Sequence, residues 1–392
     1  MRGSLLILLF VFGCTSQLKI VNTYTTKAER NHFVTEKTQF IDSVFLHSPD
    51  LNNDKKYQGA FWATELMLLK SEKAESNLKY ALAHFSVYSE NFRRSILQNV
   101  YTLYPSEFGS ETDSLIVLEY NEKLFAMMAN YLIRNNNGSS DKYIKVMKVQ
   151  FPDWQNNPIL SGFAIEHSIQ PPCSKDLINE LIAYRKTKKE PTIFVFIHKD
   201  RDIPGLAIIQ NEKGEFLKEK NDTLKIRVLA RSITNMSGYL TNGNTPQGVF
   251  SLQGFGSSDN LFIGKSPTII TTLPFESSLT EFSFIKYKNE DWTLTRYEQF
   301  FPESWKNQTS KNMAFYAGKA GRGEIIIHGT TIDTEFYKSQ SFYPFTPSLG
   351  CICTLERWSE KDGSLIESEQ NRLIVALKKN KIEKALMYVI EI

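Results

Sequence analysis

The chain has 392 residues, 41% of them apolar and 12% aromatic, which supports roughly two or three domains and excludes general disorder. Basic residues exceed acidic ones by only 46 − 43 = +3, too balanced for a nucleic-acid footprint, and the longest basic run (Arg185, Lys186, Lys188, Lys189) is short. Four cysteines exclude a disulfide scaffold and show no zinc spacing, while six histidines (His32, His47, His84, His167, His198, His328) leave Cys/His chemistry few combinations.

At the N-terminus Arg2 precedes an apolar run, Leu5 to Phe12, and then Gly13-Cys14. The run is too short to span a bilayer as a helix, so a cleaved export signal fits better than a membrane anchor. A small residue directly before cysteine resembles the bacterial lipoprotein lipobox, although Val11 and Phe12 are looser than its usual residues. The resemblance implies a signal over 1–14 and lipidation of Cys14, leaving the mature chain exported, periplasmic and held to a membrane. The alternative is an ordinary secretory signal with an incidental cysteine.

Residues 15–55 are polar and weakly patterned and read as a tether or irregular segment. A helical domain of unassigned role is expected over 56–189. Leu78, Ala81, Leu82, Phe85 and Tyr88 share a face, as do Phe92, Ile96, Val100 and Leu103. A further helix is expected over Asn121–Arg134, with Leu124, Met128, Tyr131 and Leu132 inward, stopping at Asn135-Asn136-Asn137-Gly138. These stripes read as core, and His84 beside one of them as structural. Pro171-Pro172 and a short helix near Asp176–Tyr184 mark a boundary.

Beyond it the pattern turns to strands: Thr192–His198, Leu206–Gln210 and Leu224–Ala230, with Asn211 to Gly214 as a turn. Further strands are expected at Val249–Gln253, Thr268–Leu273, Glu281–Lys286, Glu324–Ile327, Leu373–Leu377 and Leu386–Ile390. The fold class is therefore α+β, a mainly helical N-terminal domain followed by a β-rich domain over 190–392.

One segment concentrates chemistry. The apolar run Glu324 to Ile327 delivers His328-Gly329-Thr330, and Ser348-Leu349-Gly350-Cys351-Ile352 follows. A thiol becomes a strong nucleophile when an imidazole within hydrogen-bond reach takes its proton. Glycine before the cysteine permits a tight turn whose amides can face an oxyanion. Acyl transfer through a thioester is the chemistry this suits. A buried cysteine and a satisfied strand-end histidine form the plain alternative.

His328-Gly329-Thr330 with Ser348-x-Gly350-Cys351-Ile352 resembles the signature of the L,D-transpeptidase (YkuD-type) family, and Asn244-Thr245-Pro246-Gln247-Gly248-Val249-Phe250 resembles its upstream T-P-x-G-x-F element. The resemblance covers about 190–392. It implies Cys351 as nucleophile and His328 as general base, oriented by the Gly329 carbonyl. It also implies an oxyanion hole from the amides of Gly350 and Cys351, with Ser348 supporting the turn and Thr330 beside it. The family's substrates are peptidoglycan stem peptides, and no metal or other cofactor is implied.

Two departures stand out. Leu349 replaces the family's second histidine, and Cys353 replaces the arginine two after the nucleophile, which Lys319, Arg322 or Arg357 could stand in for. The aromatic stretch Asp333–Pro347 lengthens the spacing and reads either as a lid or as a surface loop packed by its own rings. With Cys14 lipidated and Cys351 free, Cys173 and Cys353 remain as a candidate disulfide.

Overall fold

The computed structural model describes residues 20–135, 138–168 and 173–392. Cys14 with its lipobox, Asn136-Asn137 and Pro171-Pro172 lie outside the described residues.

The N-terminal part is built from α1 (Lys27–Val44), α2 (Asp54–Met67), α3 (Glu72–Ala83), α4 (Glu90–Leu103), α5 (Gly109–Ile116), α6 (Glu122–Arg134), α7 (Ser140–Gln150) and α8 (Pro158–Glu166). Side-chain oxygens of Thr26, Ser71, Ser89, Asn121 and Ser139 accept first-turn amides and fix where α1, α3, α4, α6 and α7 begin. The expected stripes are core: Leu78, Phe92, Ile96, Leu124 and Met128 are wholly buried. Each such side chain contributes about 1.5–3 kcal/mol. His84 stacks on Tyr80 and bonds its carbonyl, the structural role expected.

The tether expected over 15–55 is corrected. Residues 27–44 form α1, and the chain before it is pinned to the C-terminal part by Asn22 N–H to Gly363 and Lys27 N–H to Glu360. Arg30 adds an ion pair with Asp333 at 3.4 Å. Only Ile41 and Val44 of α1 are fully buried, so its sequence carries little amphipathic signal.

α9 (Lys175–Lys188), longer than expected, leads into the sheet. The hairpin β1 (Thr192–Ile197) and β2 (Gly205–Gln210) is followed by a small ribbon, β3 (Lys218–Glu219) with β4 (Asp222–Thr223). Then come β5 (Ile226–Leu229), β6 (Gly248–Gly256), β7 (Thr268–Thr272), β8 (Ile327–His328) and β9 (Ile352–Thr354). A second ribbon, β10 (Glu356–Trp358) with β11 (Leu365–Ser368), precedes β12 (Ala385–Glu391). Eight strands close a barrel in the order β1-β12-β6-β7-β8-β9-β5-β2. Among the described barrel strands, β1–β12 and β8–β9 pair in parallel and the others antiparallel. Closure leaves the barrel itself without an open edge.

Alternate residues of β1 serve two cores. Ile193, Val195 and Ile197 join the interior cluster, while Phe194 packs outside with Leu181 of α9. Burial on both faces explains why these strands read as near-continuous apolar runs. The interior cluster continues into the helical part. Asn130 of α6 donates to the Tyr239 hydroxyl at 2.7 Å and pairs with His167 at 2.7 Å, tying helices to barrel.

Three strand expectations are corrected. Glu281–Lys286 is not a strand: α10 (Leu279–Ser283) lies there, begun by a capping box between Ser278 and Glu281. Leu373–Leu377 lies inside α13 (Glu369–Lys379), where Leu373, Ile374 and Leu377 form an inward helical face. The Glu324–Ile327 strand shrinks to β8, since Ile327 is its first paired residue. Two more helices, α11 (Leu294–Glu298) and α12 (Met313–Lys319), sit between β7 and β8. Among the described residues no helix is long and apolar enough to cross a membrane.

Candidate active site

The parallel β8–β9 pair brings the sequence-predicted residues together. Its register sets His328 beside Cys353 and Ile327 beside Ile352. Ile352 N–H bonds the Ile326 carbonyl, so Cys351 comes to lie at the start of β9 next to Ile326. The imidazole therefore faces the other cysteine: His328 Nε2 is 3.8 Å from Cys353 Sγ. Cys351 Sγ instead accepts the Ile326 amide at 3.5 Å and contacts the Glu324 carbonyl at 3.5 Å. The expected direct Cys351–His328 hydrogen bond is not formed, because in a parallel pair the residue opposite His328 is Cys353.

His328 is oriented as expected, with Nδ1 on the Gly329 carbonyl. Burial pulls its pKa down to about 4, against that bond, so the ring is neutral at pH 7 with a free base at Nε2. Its own carbonyl accepts from Thr354, and Gln370 holds both Thr354 and the Ile327 carbonyl. A Cβ at Gly329 would lie 2.0 Å from Glu356 Cδ, so any side chain there would have to displace that carboxyl. Glu356 is itself buried, takes the Ser368 hydroxyl at 2.7 Å, and is pushed up to about 7 by burial. Thr330 is a structural hub, bonded by Thr346, Trp358 and the Ile332 amide.

The Ser348–Cys351 turn departs from expectation in one respect. Ser348 Oγ accepts the Gly350 amide at 3.0 Å and donates to the Cys351 carbonyl at 3.0 Å. Ser348 thus supports the turn as expected, but the Gly350 amide is committed and leaves Cys351 N–H as the oxyanion donor of the proposed pair. Gly350 has φ +118°, and a Cβ on it would meet Arg322 Nη2 at 1.9 Å. Thr245, from the upstream element, donates to the Gly350 carbonyl at 2.9 Å although 105 positions separate them. Gly248, with φ +133°, opens β6 in the same element, where a Cβ would strike the Tyr297 hydroxyl at 2.3 Å.

Arg322 is buried under this turn and donates to the carbonyls of Gly238, Gly243 and Asn244. It is a brace rather than a free carboxylate clamp. Lys319 is exposed, and Arg357 is exposed and paired with Glu367, so neither supplies a clamp beside the thiol. Arg322 still acts on Cys351 electrostatically. Burial pushes the Cys351 thiol up, while the Ile326 amide and the Arg322 guanidinium pull it down. Cys353 is 1% exposed and raised far more than a reactive thiol by burial.

The Cys173–Cys353 disulfide is corrected: both thiols are free. Cys353 packs with Tyr337, Phe342 and Phe345, whereas Cys173 lies with α9 and its apolar neighbours. The aromatic insertion is the packed-loop alternative, since Tyr337, Phe342 and Phe345 are buried and the Tyr337 hydroxyl bonds the Leu66 carbonyl at 2.8 Å. Glu356, Gln370 and the bracing role of Arg322 were missed by sequence reasoning. The glutamate's position just past the apolar run after Cys351 carried no spacing signal. Among the described residues no group of three or more His, Cys, Asp or Glu side chains could hold a metal ion.

No family model, curated protein or solved structure matches the chain.

Proposed function

We propose that the chain is a cysteine acyltransferase of the L,D-transpeptidase kind, acting on peptidoglycan stem peptides from an exported, lipid-anchored position. The observation that carries this reading is the β8–β9 pair, which gathers a neutral buried histidine, a positive-φ glycine turn and a partly open thiol. Cys351 is the nucleophile because access decides between the two thiols: it is half-buried, and Cys353 is closed off. His328 is the base, and its ring turns from Cys353 toward Cys351 when substrate fills the site, as catalytic hydrogen bonds commonly tighten only in the complex.

The chemistry follows in two steps. His328 takes the Cys351 proton, and Sγ attacks the carbonyl of the diamino acid at the third stem position. The bond to the terminal D-alanine breaks, its nitrogen receives the proton from His328, and a thioester remains. An amine of a neighbouring stem, or water, then attacks the thioester and releases the thiol. Water as acceptor makes the same site a carboxypeptidase.

A second reading, a wall-binding lipoprotein with a degenerate site, draws on the His328–Cys353 contact and the committed Gly350 amide. Mass spectrometry after incubation with a carbapenem separates the two. An adduct on Cys351, lost in Cys351→Ala, supports the enzyme. No adduct, together with unchanged tetrapeptide stems after incubation, overturns it. With defined tetrapeptides, dimers identify an amine acceptor and tripeptides identify water.

A further inference from the structure

The longest basic run of the sequence, Arg185 to Lys189, ends α9, and a second group of lysines lies around the end of α13. The barrel brings the two together. α9 leads into β1 and α13 into β12, and these strands pair in parallel with Thr192 opposite Leu386. Parallel neighbours start from the same side of a sheet, so both helix ends arrive at one end of the barrel. Lys186, Lys188 and Lys189 stand there with Lys378, Lys379, Lys381 and Lys384, all of them exposed. Cys351 lies at the other end. Glu391, which closes β12, is held by Gln247 at 3.2 Å, two residues from the Thr245 that bonds Gly350.

Lysines in a last turn complement the helix dipole, which accounts for Lys186, Lys188, Lys378 and Lys379. It does not account for Lys189, Lys381 and Lys384, which fall outside the last turns. Among the described residues the lysine ion pairs all involve other lysines. Of the carboxylates nearby, Glu190 is taken by Arg185 at 2.7 Å, Glu281 caps α10, and Glu383 sits between Lys381 and Lys384. The turn after β2 adds Glu212 and Glu215 against Lys213. A positive surplus remains.

Apolar side chains share this face. Lys378 Nζ lies 5.2 Å over the Phe255 ring and Lys384 Nζ 5.3 Å over the Phe284 ring. Val375, one turn before Lys378 and Lys379 on α13, is 61% exposed, and Ile285, next to Phe284, is 51% exposed. Lysine stems laid on rings, with aliphatic tips exposed between them, suit the boundary between lipid headgroups and acyl chains. A soluble polyanion would need the charges alone.

We propose that this end of the barrel docks on an anionic lipid bilayer, its lysines on the headgroup phosphates and Val375 and Ile285 in the boundary beneath them. Cys351 then faces away from the membrane. The proposal rests neither on acyl transfer nor on lipidation of Cys14.

The test compares the full chain on vesicles of phosphatidylcholine and on vesicles of equimolar phosphatidylcholine and phosphatidylglycerol, by flotation and by hydrogen–deuterium exchange. Any contribution from residues 1–19 is common to both. The anionic vesicles are expected to bind at least about tenfold more tightly at low salt, with the difference lost at high salt. On them, amides of 186–190 and 378–385 should gain protection and those of 349–352 should not. Replacing Lys188, Lys189, Lys379, Lys381 and Lys384 together by glutamine is expected to abolish the preference, whereas Lys73→Gln with Lys79→Gln on α3 keeps it. Val375→Ser with Ile285→Ser should weaken vesicle binding several-fold and leave binding of inorganic polyphosphate unchanged. Equal binding to the two vesicles, or no protection at the two lysine segments, overturns the proposal. Polyphosphate binding together with no effect of the serine substitutions on vesicles overturns the bilayer in favour of a soluble polyanion. The vesicle comparison uses the unaltered chain and holds even if a variant fails to fold. Its failure leaves the carbapenem experiment at Cys351 unaffected.

Discussion

Cys351 and Cys353 stand two residues apart, yet their surroundings make them different groups. Cys351 is partly open beside the Arg322 guanidinium, while Cys353 sits under the Tyr337–Phe345 rings. Iodoacetamide at mild alkaline pH is therefore expected to label Cys351 first, with Cys353 protected until the fold is opened by denaturant, as read by peptide mass mapping. Glu356 supplies a pH-dependent prediction. Its carboxyl is raised from 4.5 to about 7, so between these values the folded protein holds a proton that the unfolded chain has released. Its stabilising share is full below about pH 4.5 and is lost as pH rises through 7. Glu356→Gln keeps the neutral form at every pH. Its stability relative to the parent should rise by up to about 3 kcal/mol between pH 4.5 and pH 8 in urea titrations. A gap that does not widen with pH would show the carboxyl to be ionised in the fold.

At the scale of elements, local caps and turns decide what hydropathy leaves ambiguous. The Leu279–Ser283 segment is apolar enough to read as strand, but Ser278 and Glu281 satisfy its first amides reciprocally and make it helical. Ser278→Ala should cost about 1 kcal/mol in a urea melt. The turn before β9 is held harder. Gly350→Ala should cost at least about 2 kcal/mol, since it adds a left-handed φ penalty to a collision with Arg322. A change below about half a kilocalorie per mole would mean that Arg322 has room to move. The β8–β9 register explains why spacing alone misassigned the imidazole's neighbour. Spacing carries the order His328, Cys351, Cys353, but only the pairing says which one lies opposite the ring.

For the whole molecule, helical part and barrel share one buried cluster, joined by Asn130, Tyr239 and His167. They should unfold together, giving coincident transitions by far-ultraviolet circular dichroism and tryptophan fluorescence. Two separated transitions would refute the shared core. The sequence by itself determined the α+β order, the α3, α4 and α6 faces, most barrel strands and the residues of the Ser348–Cys351 turn, because these rest on local periodicity and residue type. It also bounded the chemistry, since four cysteines and six histidines leave few pairs to choose from. Only the tertiary structure decided that α1 is docked, that Cys173 and Cys353 stay apart, and that His328 meets Cys353. It alone placed Arg322 beneath Gly350 and Glu356 against Gly329. Each of these depends on which distant residues the fold sets side by side, in loops as well as across the barrel, and such contacts leave no mark in spacing along the chain.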